Sequence, residues 1–199
     1  MSDAVNRASL LTILATKSFR LGDFTLASGK KSDYYIDCRT TTLDAEGGRL
    51  TGLVLAALIR ENVSQAEAVG GLTMGADPVV SNTASASAWW RLVHSDAPLV
   101  QGFLVRKAEK THGTGRLIEG FLKPGASVIV VDDVCTTGGS TITAIEAVRA
   151  AGMKVAAVMC LVDREQGGRA AIEAAAQGAP FFSVFTANDV RAEHIKLNS

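Results

Sequence analysis

The run Ser127–Val131, SVIVV, continues apolar and β-branched for four residues with no polar alternation. A strand that faces water on one side alternates. One that reads as an unbroken apolar run is covered on both faces, which is the condition of a parallel sheet between layers of helix. Neighbouring segments extend the pattern: AEAVGGL (66–72), LVQGFLV (99–105), KVAAVMCLVD (154–163) and PFFSVFT (180–186) are further short β-like runs. Between them, ADPVVSNTASASAWWRLV (76–93) reads as a helix with Pro78 in its first turn, STITAIEAVRAA (140–151) as one stopped by Gly152, and RAAIEAAAQ (169–177) as a third. Strand and helix alternate from about residue 66 onward. The chain is therefore predicted to be α/β, with a central, mostly parallel sheet flanked by helices.

Ahead of this alternation the spacing predicts a helix from Asp3 to about Lys17, with Leu10, Leu11, Ile13 and Leu14 on its apolar face. FTLASGKKSDYYID (24–37) reads as a hairpin around Ser28-Gly29-Lys30-Lys31, and Asp44 can cap a helix over 45–61. At 199 residues a single domain is expected, spanning 1–199. Twenty basic residues balance twenty acidic ones, which leaves no global electrostatic case for nucleic acid or an anionic membrane. Cys38, Cys135 and Cys160 are widely spaced and odd in number, so neither a disulfide framework nor a zinc site is indicated and a reducing cytoplasm is the expected compartment. No apolar run reaches the ~20 residues that span a bilayer, and the amino terminus reads as a helix rather than a signal peptide.

SVIVV runs into Asp132 and Asp133, and then into CTTGGS. In open parallel sheets ligands bind outside the carboxyl ends of the strands. A helix that opens there presents unpartnered backbone N–H groups and the positive end of its dipole, both of which favour a phosphate. Thr136, Thr137 and Ser140 add hydroxyl donors, and Gly138 and Gly139 let the backbone come close. Paired carboxylates beside such a nest repel phosphate alone. They make sense if the same ligand carries hydroxyls or a metal, as a sugar phosphate does. A bare Asp-rich turn capping a helix is the competing reading.

VIVVDDVCTTGGS resembles the ribose-phosphate signature of the type I phosphoribosyltransferases, which bind phosphoribosyl pyrophosphate (PRPP). The resemblance implies that family's fold. It also implies that Asp132 and Asp133 face ribose hydroxyls, that Val134, Cys135, Thr136, Thr137, Gly138, Gly139 and Ser140 complete the PRPP site around the 5′-phosphate, and that magnesium is held mainly through pyrophosphate and ribose oxygens rather than directly by the protein. A second segment, RKAEKTHG, carries Arg106, Lys107, Lys110 and His112 with Gly113. Taken alone it could be a solvated basic loop, but it is similar to the mobile catalytic loop of orotate phosphoribosyltransferases. That likeness implies PRPP binding by these four residues, with Lys107, Lys110 and His112 joining Asp132 and Asp133 in catalysis. It further implies a homodimer in which the 106–116 loop reaches the neighbouring site.

FTLASGKKSDYYID is similar to the amino-terminal hood of the same family, here about residues 1–40. Tyr34 and Tyr35 are candidates to pack on a planar base, or are ordinary strand aromatics. Arg164, in LVDREQGG, stands where the family binds the orotate carboxylate, a task suited to a guanidinium fork, although an Arg after a strand can also be plain surface. Thr136 is implied at the base as well. Two departures stand out: Ala27 and Met74 replace lysines common in the family. The implied activity is transfer of ribose 5-phosphate from PRPP to orotate in pyrimidine biosynthesis. A purine phosphoribosyltransferase and a PRPP-sensing regulatory protein share the VDDVCTTGG signature and remain alternatives.

Overall fold

The computed structural model describes residues 2–25, 29, 31–107 and 117–199. A first helix, α1 (Asp3–Ile13), is capped by Ser2 and widens into a π-helical turn over Leu14–Ser18. The hairpin β1 (Phe19–Thr25) and β2 (Lys31–Ile36) follows, its antiparallel register irregular between Leu21 and Phe24. A short α2 (Arg39–Thr42) leads to α3 (Ala45–Asn62), whose cap is the Asp44 carboxylate accepting from Gly47 N at 3.0 Å.

Then the alternation begins. In chain order the remaining elements are β3 (Ala68–Leu72), α4 (Ala76–Val93), β4 (Gln101–Val105), β5 (Ile118–Gly120), β6 (Ser127–Cys135), α5 (Gly139–Ala150), β7 (Lys154–Asp163), α6 (Gly168–Ala176), β8 (Phe181–Thr186) and α7 (Ala187–Leu197). The six strands after the hairpin form one sheet in the order β5-β4-β3-β6-β7-β8, parallel except for the edge strand β5.

The unbroken apolar strands do what their composition requires. Along β6, Ile129 and Val131 enter a core built with α1, α3, α4 and α7, while Val128 and Val130 enter one built with α5 and α6. Val128, Ile129 and Val130 are fully buried. Each such aliphatic contributes roughly 1.5–3 kcal/mol relative to exposure, which holds the central strands rigid under the loops they carry. Among the described residues, no helix is long and apolar enough to cross a membrane.

Four features differ from expectation or go beyond it. The hairpin starts at Phe19 rather than Phe24, because β1 continues straight out of the π turn. β6 runs on through Asp132, Asp133 and Val134 to Cys135, so the carboxylates lie within the strand and not beyond it. The edge strand β5 pairs with β4 through only three residues, too few to show a period. Finally, α7 closes the chain behind a capping box of Thr186 and Asp189. The spacing T-x-x-D in TANDV was a readable sign of it.

Candidate active site

Four adjacent strands, β4, β3, β6 and β7, point their carboxyl ends at one cavity of about 330 Å³. Lys107 follows β4, Thr73 to Gly75 follow β3, Asp132 to Ser140 end β6 and open α5, and Arg164 follows β7. The segment Tyr35–Arg39, from the end of β2 to the start of α2, lines the same cavity. The Thr73–Met74 peptide in its wall is cis.

Successive strand side chains point to opposite faces, and the carboxylates divide accordingly. Asp132 turns toward α5, where its Oδ2 accepts from the Thr141 hydroxyl at 3.0 Å and its Oδ1 from Asp133 N at 3.0 Å. Asp133 turns toward the start of α4. There a Cβ on Gly75 would stand 2.3 Å from Asp133 Oδ1, so only glycine admits the carboxylate. Asp133 Oδ1 also accepts from Val134 N at 3.0 Å. Burial raises Asp132 above the ordinary carboxylate range, and the charge of Asp133 pushes it further. Asp133 is raised too, chiefly by burial. Two desolvated carboxylates this close favour a ligand that donates hydroxyl protons or brings a cation.

Beside them lies a smaller cavity of about 230 Å³, lined by Asp132, Val134 and the five residues Thr136 to Ser140. Gly138 adopts φ +85° to turn the chain into α5, and a Cβ there would also stand 2.8 Å from Ile172 Cγ1. The α5 amino terminus opens here with no side chain capping it, which leaves its first N–H groups for an anion.

At the β7 end, Arg164 Nη2 is buried and has no hydrogen-bond partner. Nε of the same guanidinium reaches the Tyr34 hydroxyl at 3.5 Å, and its carbon lies 4.9 Å above the Tyr34 ring, which stacks on Phe19 at 5.5 Å. Tyr34 thus sits beneath the arginine, while Tyr35 lines the cavity. An orphaned buried guanidinium N–H costs on the order of 1–3 kcal/mol or more, so its natural partner is an anionic ligand.

The structure gathers Tyr35, Lys107, Asp132, Asp133, Val134, Thr136, Ser140 and Arg164 around the main cavity, with Thr137, Gly138 and Gly139 in the adjoining cradle. Three residues of the implied sites stand apart. Tyr34 supports Arg164. Arg106 lies 3.5 Å from Glu119 across β4 and β5. The Cys135 thiol packs in the core against Gly168, where a Cβ would lie 2.7 Å from its Sγ. Ala27, Lys110, His112 and Gly113 lie outside the described residues; Met74 is on the cavity wall and largely exposed. Sequence reasoning passed over Asp37, Arg39 and Thr141. Asp37 and Arg39 carried no signal beyond their charge, and Thr141 could have been found from its place one helical residue past the TTGGS loop.

Residues 88–179 match the model of a phosphoribosyl transferase domain. The chain is 44% identical over 186 residues to an orotate phosphoribosyltransferase of Synechocystis sp., covering 93% of this chain and 88% of that one. It is 40% identical over 173 residues to one of Rhodopirellula baltica, covering 84% and 86%. Among solved structures, the Mycobacterium tuberculosis orotate phosphoribosyltransferase in complex with PRPP superposes with a TM-score of 0.73 at 34% identity, over 94% of this chain and 99% of that one.

Proposed function

The chain belongs to the orotate phosphoribosyltransferase family, and from that footing we propose that it transfers ribose 5-phosphate from PRPP to N1 of orotate, releasing pyrophosphate and orotidine 5′-phosphate in pyrimidine biosynthesis. One observation carries the choice of base: Arg164, which lines the β7 end of the cavity and keeps its buried Nη2 without a hydrogen-bond partner. A planar guanidinium held by Tyr34 suits the carboxylate of orotate, a group that adenine and hypoxanthine lack.

The rest of the cavity assigns itself around that anchor. The 5′-phosphate enters the Thr136–Ser140 cradle, and Asp132 and Asp133 receive the ribose hydroxyls. The bond from C1′ to the pyrophosphate oxygen breaks, positive charge develops on the sugar, and N1 of orotate forms the new bond to C1′. At neutral pH the charge of orotate sits on its carboxylate, so N1 gives up its proton as the bond to C1′ forms, to the departing pyrophosphate or to solvent. The mechanism rests on alignment and on stabilising the departing pyrophosphate, to which Lys107 on the cavity wall contributes.

Magnesium fits this site in a particular way. Among the described residues, no three His, Cys, Asp or Glu side chains form a group able to hold a metal, whereas the two desolvated carboxylates would be relieved by a cation arriving with the substrate. Arriving with PRPP beside Asp132 and Asp133, the ion would supply charge neutralisation to the leaving group. A homodimer is part of the same proposal. It is supported by the exposed apolar end of α4, where Trp89, Leu92 and Val93 are 69%, 76% and 77% exposed. A cytoplasmic location accords with three buried free thiols.

The test is incubation with PRPP and magnesium and either orotate, adenine or hypoxanthine. Loss of orotate absorbance with orotidine 5′-phosphate formation is the expected result, and product from a purine alone would overturn the assignment.

A further inference from the structure

We infer that Arg39, held in place by Asp37, is a binding residue for the pyrophosphate end of PRPP, a role that rests on the activity proposed above. Its position is the first reason. Arg39 lines both the main cavity and an adjoining groove that it shares with Met74, Asp77 and Pro78, which places it on the β3 side. Arg164 marks the β7 side, and the phosphate cradle extends from β6 into α5. A ligand that sets its 5′-phosphate in that cradle and its acceptor base against Arg164 has its remaining substituent directed toward β3 and β4. That substituent is the leaving group.

Charge is the second reason. Three carboxylates, Asp37, Asp132 and Asp133, line the cavity. A polyanion enters beside them only where cationic donors stand on its own side. Among the described residues the cavity-lining cations are Arg39, Lys107 and Arg164. With Arg164 committed to the base, Arg39 and Lys107 remain for the pyrophosphate. Met74 contributes no charge there.

The third reason is how Arg39 is held. Its Nε and Nη2 donate to Asp37 Oδ1 and Oδ2 at 2.9 and 2.8 Å, and its backbone N donates to Oδ1 at 3.1 Å. The carboxylate takes one edge of the fork and fixes its plane, which leaves the Nη1 donors for a ligand. An ion pair this exposed adds little to stability, so fold stability is a weak reason for such a clamp. Orientation of a cation at a cavity mouth is a stronger one.

Steady-state kinetics in both directions, on the full-length protein with magnesium, test the inference. Arg39→Ala should raise the KM for PRPP and, in the reverse direction, for pyrophosphate by about tenfold or more. The KM values for orotate and orotidine 5′-phosphate should stay within about twofold, and the melting temperature within ~2 °C. Arg39→Lys should recover part of the loss, and Asp37→Asn should give an intermediate pyrophosphate KM. An unchanged pyrophosphate KM, or four KM values rising together, overturns the role. A wild-type protein that makes no orotidine 5′-phosphate would instead overturn the activity. In that case calorimetric titration of wild type and R39A with magnesium pyrophosphate still decides on Arg39: tighter binding by wild type supports it, and equal affinity or no binding by either overturns it.

Discussion

Asp132 shows how the site trades stability for chemistry. Burial holds its folded-state pKa above the ordinary value. Between the unfolded and folded pKa values the native state therefore binds more protons than the unfolded state, and stability falls as pH rises through that window. The stabilisation is fully present below the unfolded pKa, near ~4, and is lost on the alkaline side of the folded one. Asp132→Asn removes the ionisation while retaining the contacts: its amide oxygen can accept from Asp133 N, and Thr141 can rotate to accept from the new NH₂. We expect the variant to melt several degrees above wild type at pH 8, with a smaller gain at pH 5, and to lose ~10²-fold or more in turnover. Calorimetric melts at the two pH values read the first effect. A variant no more stable at pH 8 than wild type would show that the carboxylate carries no desolvation strain. Gly75 belongs to the same logic, since its lost side chain is the space Asp133 occupies.

At the level of elements, the β6–α5 junction does most to build the site. A continuous apolar strand places two carboxylates at its end, and a glycine in the left-handed region turns the chain so that the next helix starts uncapped. Gly138→Ala meets both obstacles at once, positive φ and a contact with Ile172. It should cost about 1–3 kcal/mol, roughly 2–12 °C in melting temperature at ~2–4 °C per kcal/mol, and raise the KM for PRPP more than that for orotate. Thermal melts and initial rates measure these together; equal effects on both KM values would mean that the turn does not shape a phosphate cradle. Elements of this kind were legible because their periods are strong and their caps and stops are local. β5 and α2 were not, being three and four residues long, shorter than a period can reveal. Strand β6 continued past its apolar run because Asp132, Val134 and Cys135 still pair with β7, a partner the local sequence does not display.

At the scale of the whole molecule, the proposed dimer makes a strong prediction. If the loop of one subunit serves the site of the other through Lys110 and His112, while Lys107 serves its own, Lys110→Ala and Asp133→Ala proteins, each inactive, should regain activity on mixing. Random pairing of equal amounts makes half of the dimers hybrids, each with one intact site. Rates after mixing measure this, with subunit exchange checked by differently tagged copies. Exchange without recovered activity would sink the shared-site arrangement.

The sequence by itself determined the α/β class, the order of strands and helices from residue 66 onward apart from β5 and α7, and the strand-to-helix junction at Asp132–Ser140, because burial on both faces and helix-start chemistry are written in neighbouring residues. Only the tertiary structure decided that Asp132 and Asp133 turn to opposite faces, that Tyr34 supports Arg164 while Tyr35 lines the cavity, and that Asp37 clamps Arg39 at its mouth. The first two depend on packing between segments 58 and 130 residues apart, Gly75 with Asp133 and Tyr34 with Arg164. The third depends on the β2–α2 connection lying beside the carboxyl ends of the inner strands. No local pattern of charge or period encodes contacts of that range.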